Sequence, residues 1–218
     1  MATPTCASEA CVSEPTRFAL MASGKGSNAR ALLQAWGTEI LPKELIAFVG
    51  IVSDQPEALA LQLGAEYNID ATCIARTGFT RQDHEMRILQ HLKNIGVEHL
   101  ILAGYMRLLS PFFLEQFPGK IINIHPSLLP EYPGLHAIER QYEAGVRITG
   151  ATVHYVDAGM DTGDIILQNS ITMTGDENLE QFQKRIQCEV EHVIYPQAVR
   201  IFIEQCANTC AKNLSTKS

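Results

Sequence analysis

Lys120 to Pro130 reads KIINIHPSLLP. Ile121–Ile124 is a short apolar run closed by proline, the pattern of a buried β-strand. A polar pair, Asn123 and His125, sits two residues apart within and just after that run. Side chains alternate between the faces of a strand, so the carboxamide and the imidazole project side by side. Pro126 biases His125 towards extended backbone and ends the ladder, because it has no N–H to donate. The pair therefore lies at the carboxyl end of a strand, where open α/β sheets place their ligands. Asp161 follows in the glycine-bracketed loop AGMDTG, residues 158–163. An amide donor, a titratable ring and a carboxylate are the groups needed to move an acyl group.

Outward from this stretch, strand-like and helix-like segments alternate. On the amino-terminal side, Phe18–Met21, Leu45–Val52 and His99–Ala103 are apolar runs of the kind buried on both sheet faces. Ala29–Trp36 and Pro56–Tyr67 read as helices. Thr80, with Asp83 at the third position, caps another helix running towards Lys93. Ser110-Pro111 is a cap followed by proline at the first helical position. This alternation predicts a single-domain, Rossmann-like α/β fold with a mostly parallel central sheet flanked by helices. Beyond residue 147 the character changes. Ile148–Val156 and Asp164–Met173 are strand-like and joined by the glycine-rich loop, so they are expected to pair as a hairpin. A long helix, Asn178 to Cys206, closes the domain. The small, polar residues 1–16 are expected to be a disordered tail, and residues 207–218 a frayed one, leaving 17–206 as the folded domain.

Composition narrows the partners. The chain has 218 residues, 46% of them hydrophobic, with a formal net charge of -7. One domain with a large core is implied, and the acidic balance argues against nucleic acid. The longest apolar stretch, Leu45–Val52, is too short for a bilayer, and no secretory signal pattern opens the chain. No CxxC or HExxH spacing occurs, so no metal is expected. The six cysteines fit reduced thiols in a cytoplasmic protein.

SGKGSN, residues 23–28, falls between the first strand and the first helix, where a helix N-terminus meets anions. Gly24 and Gly26 permit a tight turn, Ser27 and Asn28 add side-chain donors, and Lys25 adds charge. The loop alone fits a phosphate site and an unliganded βα turn equally well. A dinucleotide fingerprint is poorly supported, since Asp54 lies about thirty positions past Gly24 rather than about twenty.

INIHPSLLPEYPGLHAI and GATVHYVDAGMDTGDIILQ together resemble the folate-dependent formyltransferases, and the likeness runs through residues 17–205. SGKGSN is similar to that family's phosphate loop, LAGYMRLLSP to its folate-side segment, and EHVIYP to its last helix. The resemblance implies formyl transfer from the co-substrate 10-formyltetrahydrofolate to the amine of 5-phosphoribosylglycinamide. It makes Asn123, His125 and Asp161 catalytic, and seats the acceptor phosphate on Gly24, Gly26, Ser27 and Asn28 with Lys25 adjacent. Glu191 would bind the ribose hydroxyls, and Gly104 and Pro126 would flank the glycinamide. The folate would lie along Leu102, Met106, Arg107, Leu108, Leu109 and Asn123, against Ala158, Gly159, Met160 and Asp161, with Arg81 meeting its glutamate tail. One departure stands out: the spacing from Arg185 to Glu191 is a residue longer than the family pattern. Partners are thus small molecules, with a monomer or homodimer expected.

Three other readings compete. A hydrolytic relative would use water as the acceptor, but carries an additional N-terminal regulatory domain. A relative acting on aminoacylated tRNA needs a further C-terminal domain. A non-catalytic folate- or nucleotide-binding module would not need Asn123, His125 and Asp161 together. His154, within a strand-like stretch, orients a partner or is a satisfied core histidine, and His136 is a weaker candidate.

Overall fold

The computed structural model describes residues 14–215 of the chain. β1 (Thr16–Met21) leads into α1 (Ser27–Ala35), and β2 (Ile46–Ser53) into α2 (Gln62–Tyr67). β3 (Asp70–Cys73), α3 (Arg81–Asn94), β4 (His99–Leu102), α4 (Pro111–Gln116) and β5 (Ile121–His125) follow. The sequence reading missed β3 and, after β5, α5 (Ala137–Glu143). β6 (Ile148–Tyr155) and β7 (Ile165–Thr172) form the expected antiparallel hairpin. α6 (Leu179–Arg185), a π-helical segment (Ile186–Glu191) and α7 (His192–Ser215) complete the described residues.

The strands form one sheet in the order β3-β2-β1-β4-β5-β6-β7. β1 to β5 pair in parallel, and β6 alone is reversed, pairing antiparallel with both β5 and β7. The chain winds outward from β1 to β3, then returns to the other side of β1 to begin β4. The strand order reverses between β1 and β4, and that crevice is where such sheets bind ligands.

Alternation along β1 splits the core into two layers. Phe18 and Leu20 face a cluster with Leu32 of α1 and with Tyr195, Val199 and Phe202 of α7. Ala19 and Met21 face Ile88 and Leu92 of α3 and Phe113 of α4. Burial on both faces explains why these strands read as continuous apolar runs. Tyr195 is fully buried, and its hydroxyl donates to the Leu102 carbonyl at 2.9 Å, fixing α7 against the carboxyl end of β4.

Both predicted caps are present. Thr80 Oγ1 accepts from the Asp83 amide at 3.1 Å. Ser110 Oγ accepts from the Phe113 amide at 3.2 Å, with Pro111 in the first turn. Pro56–Tyr67 is not one helix. Leu59–Leu61 is a 3-10 turn, and only Gln62–Tyr67 is α-helical. There the Ala60 amide donates to the Gly24 carbonyl at 3.2 Å, so the backbone serves the glycine loop instead of a helix.

The closing helix also departs from expectation. It starts at a capping box, with Asn178 and Gln181 exchanging side-chain to backbone bonds. It then widens to π geometry over Ile186–Glu191, which is how a helix absorbs one extra residue. The π segment spans the same residues whose spacing stood out in the sequence. α7 continues past residue 207 to Ser215, since each residue added to a packed helix gains a hydrogen bond without a new nucleus. The proposed tail falls, up to residue 13, outside the described residues, and Thr16 already belongs to β1. No helix among the described residues is long and apolar enough to cross a membrane.

Candidate active site

His125 is the last residue of β5, and Asn123 lies on the same face two residues before it. Antiparallel pairing sets Asn123 opposite His154 of β6. Asp161 comes from the β6–β7 loop, held at a left-handed φ of 56° that an aspartate tolerates. These four side chains meet. Asp161 Oδ2 lies 3.2 Å from His125 Nδ1, and its Oδ1 lies 3.5 Å from His154 Nε2. Asn123 Nδ2 lies 3.3 Å from His154 Nε2. His154 Nδ1 faces the Tyr155 carbonyl at 2.8 Å. Nε2 thus lies between the Asn123 amide and the Asp161 carboxylate, and it engages no more than one of the two Asn123 amide hydrogens. The second hydrogen stays available. Strand register thus makes His154 part of the centre, a role that its place in the sequence left open.

Both ring nitrogens of His125 face acceptors: Nδ1 the Asp161 carboxylate, and Nε2 the Tyr132 carbonyl at 2.8 Å. Burial pushes the His125 pKa below its ordinary value, while the Tyr132 carbonyl and the Asp161 charge pull the other way. Burial raises the Asp161 pKa, but the His154 contact, the Gly134 amide at 2.8 Å and the His125 charge outweigh it, so the carboxyl is held below the usual range.

These residues form the inner wall of a cleft of about 740 Å³, a size that takes a drug-sized molecule. Leu102, Gly104, Met106, Arg107, Leu108, Leu109, Pro126, Gly159, Met160 and Arg81 all line it. Ala158 is exposed on the same loop without lining the cleft. Met106 and Leu108 are 72% and 60% exposed at the rim, so they are not core. Leu109 packs partly on the core. The Arg81 guanidinium donates to the Leu108 carbonyl at 2.7 Å and meets Glu85 at 3.3 Å. His136, the weaker candidate, lines the cleft, and lining residues missed in the sequence include Arg76, Tyr105, Leu135 and Ala137 to Glu139. Their contribution depends on how α3 and α5 pack, which no local motif encodes.

The glycine loop lies outside this cleft's lining and forms a second cluster. Gly26 precedes α1 with φ 71°, and no side chain caps the helix, which leaves its first amides without an intrahelical or side-chain partner. The π segment reaches over this end. Gln187 Nε2 donates to Ser27 Oγ at 2.8 Å, and Asn28 Nδ2 donates to Glu191 Oε2 at 3.0 Å. Glu191 is only 7% exposed, and burial pushes its pKa above the ordinary carboxyl value against the opposing Asn28 bond. Asn28 Oδ1 is buried with no hydrogen-bond partner. The Ser23 amide donates to the Gly104 carbonyl at 3.0 Å, joining the loop to the cleft wall.

The Rossmann-like sheet thus carries an Asn-His-His-Asp cluster on β5, β6 and the β6–β7 loop, with a glycine loop after β1, an arrangement shared with a class of group-transferring enzymes. Residues 16–199 match the Formyl transferase family, and the chain belongs to that family. The phosphoribosylglycinamide formyltransferase of Bacillus subtilis (strain 168) is 38% identical over 186 residues, covering 84% of this chain and 93% of that protein. The crystal structure of phosphoribosylglycinamide formyltransferase from Bacillus halodurans aligns with TM-score 0.81 at 38% identity, over 88% of this chain and 97% of that one. The trifunctional purine biosynthetic protein adenosine-3 of Drosophila melanogaster is 37% identical over 193 residues, which are 88% of this chain but 14% of that protein.

Proposed function

We infer that this chain transfers the formyl group of 10-formyltetrahydrofolate to the amine of 5-phosphoribosylglycinamide, a step of purine biosynthesis. The observation that carries this reading is the convergence of Asn123, His125, His154 and Asp161 on one cleft wall, tied to an uncapped helix N-terminus by the Ser23–Gly104 bond.

The acceptor phosphate takes the free amides at Gly26, Ser27 and Asn28, with Gly24 allowing close approach and Lys25 supplying charge. Glu191 and the unpartnered Asn28 Oδ1 are the acceptors for ribose hydroxyls. Gly104 and Pro126 flank the amine. Leu102, Met106, Leu108, Leu109 and Met160 enclose the pterin with Arg107 beside them, and Arg81 meets the anionic glutamate tail of the folate.

Attack by the amine forms the new N–C bond and moves the carbonyl electron pair onto oxygen. Asn123 meets that oxyanion with the Nδ2 hydrogen not used by His154. His125 supplies the second donor, and one ring nitrogen must release its present acceptor to do so. The Nδ1–Asp161 contact, at 3.2 Å, is longer than the roughly 2.7–2.9 Å of a strong charge-assisted bond and is the looser of the two. The Asp161 charge favours the doubly protonated His125 ring before the transfer, and the carboxylate then takes up, directly or through water, the proton that the attacking amine loses. That proton protonates the departing nitrogen as the C–N bond breaks.

Incubation with 10-formyltetrahydrofolate labelled in its formyl carbon tests the proposal. Label recovered in the phosphoribosyl product supports it, and label recovered as formate overturns it in favour of hydrolysis. The chain acts without a membrane or nucleic-acid partner, and in the cytoplasm, on this reading.

A further inference from the structure

We propose that Asp54 is a positioning residue that locks the acceptor loop and the folate-side segment into one register. Asp54 follows the last residue of β2, Ser23 lies just past the end of β1, and Gly104 to Arg107 follow β4. These three strands are neighbours at the point where the strand order reverses. The Asp54 side chain is 1% exposed. A buried carboxylate persists only when its lone pairs are matched, and here they are. Oδ1 accepts from Ser23 Oγ at 2.6 Å. Oδ2 accepts from Arg107 Nε at 2.5 Å and from Gln55 Nε2 at 3.0 Å.

Ser23 gives the chain of bonds its direction. Its Oγ accepts from the Met106 amide at 3.0 Å, and its one proton goes to Asp54, which only accepts. One carboxylate thus orders the first residue of the glycine loop, Ser23, and two residues of the folate cleft, Met106 and Arg107. Burial alone would raise the Asp54 pKa, but the Ser23, Arg107 and Gln55 bonds keep it below the usual range. A carboxamide at this position removes the charge opposite Arg107, and with its oxygen kept on Arg107 it turns an amide donor towards Ser23 Oγ, whose own proton then loses its acceptor.

The inference rests on the proposed assignment of substrates to the two half-sites. Asp54→Asn is expected to raise the KM for the folate about tenfold, with a smaller change in the acceptor KM and in kcat. The effect runs through Arg107. In an Arg107→Ala background, Asp54→Asn should therefore alter the folate KM by less than about twofold. Ser23→Ala keeps the ion pair but cuts the link to the loop, and is expected to raise both KM values. It also serves if Asp54→Asn does not fold. Calorimetric titration with tetrahydrofolate separates this inference from the transfer reaction, since the same tenfold loss appears in Kd even if wild-type transfer fails. Additive effects of the two substitutions, or a folate Kd unchanged in both Asp54→Asn and Ser23→Ala, overturn the inference.

Discussion

Asp161→Asn isolates the charge at the reacting centre. Asparagine keeps the side-chain size and tolerates the left-handed φ of 56° at this position, so the loop retains its shape. What is lost is the anion 3.2 Å from His125 Nδ1. Across that distance a carboxylate and an imidazolium attract by about 5 kcal/mol at an effective dielectric near 20, and by about 1 kcal/mol in bulk water. The two side chains are 14% and 7% exposed, so the applicable value lies between these limits. About 3 kcal/mol less stabilisation of the His125 imidazolium that donates to the oxyanion lowers the rate roughly a hundredfold. The Asp161 charge holds the His125 pKa up, so the pH limb of turnover belonging to His125 moves to lower pH in the variant. Single-turnover kinetics across pH, with formyl loss followed by absorbance, reads both effects. Turnover within about threefold of wild type and an unshifted limb refute the role given to the carboxylate.

Asn123→Ala removes one oxyanion donor and is expected to lower kcat about 10²–10³-fold with little change in KM, as steady-state kinetics will show. Glu191→Gln trades function for stability. Burial keeps the Glu191 pKa raised, so the folded state favours its protonated form. That contribution is full below the unfolded pKa, near the ordinary value of 4.5, and is lost as pH rises through the folded pKa. Glutamine has no charge to desolvate, so the variant gains about 1–2 kcal/mol at neutral pH while its acceptor KM rises. Denaturant titrations should show that gain disappear below about pH 4.5. Gly26→Ala would set a Cβ 2.7 Å from Ala60 Cβ at a residue with φ 71°, so thermal melts are expected to record a loss of about 1–3 kcal/mol with a weakened acceptor site.

The features legible in the sequence are those with local causes. β1, β2 and β4 announce themselves because burial on both faces demands unbroken apolar runs, and the Thr80 and Ser110 caps because one side chain serves a backbone amide three residues on. β3 was missed because Asp70–Cys73 is a four-residue edge strand with no fully buried side chain. α5 was missed because it buries only Ala137 and Gln141. Within the site, Asn123 and His125 were visible from strand alternation. His154 needed the β5–β6 register, and the Asp54–Arg107 pair needed the strand order. The spacing before Glu191 was countable in the sequence, but the π segment that holds Ser27 and Asn28 depends on how the helix packs over α1.

The most direct test of the account is the rate at which the purified chain deformylates 10-formyltetrahydrofolate with and without 5-phosphoribosylglycinamide. The account predicts rapid deformylation with the acceptor, matched mole for mole by formylated product, and negligible loss without it. Deformylation equally fast in the absence of the amine would contradict it.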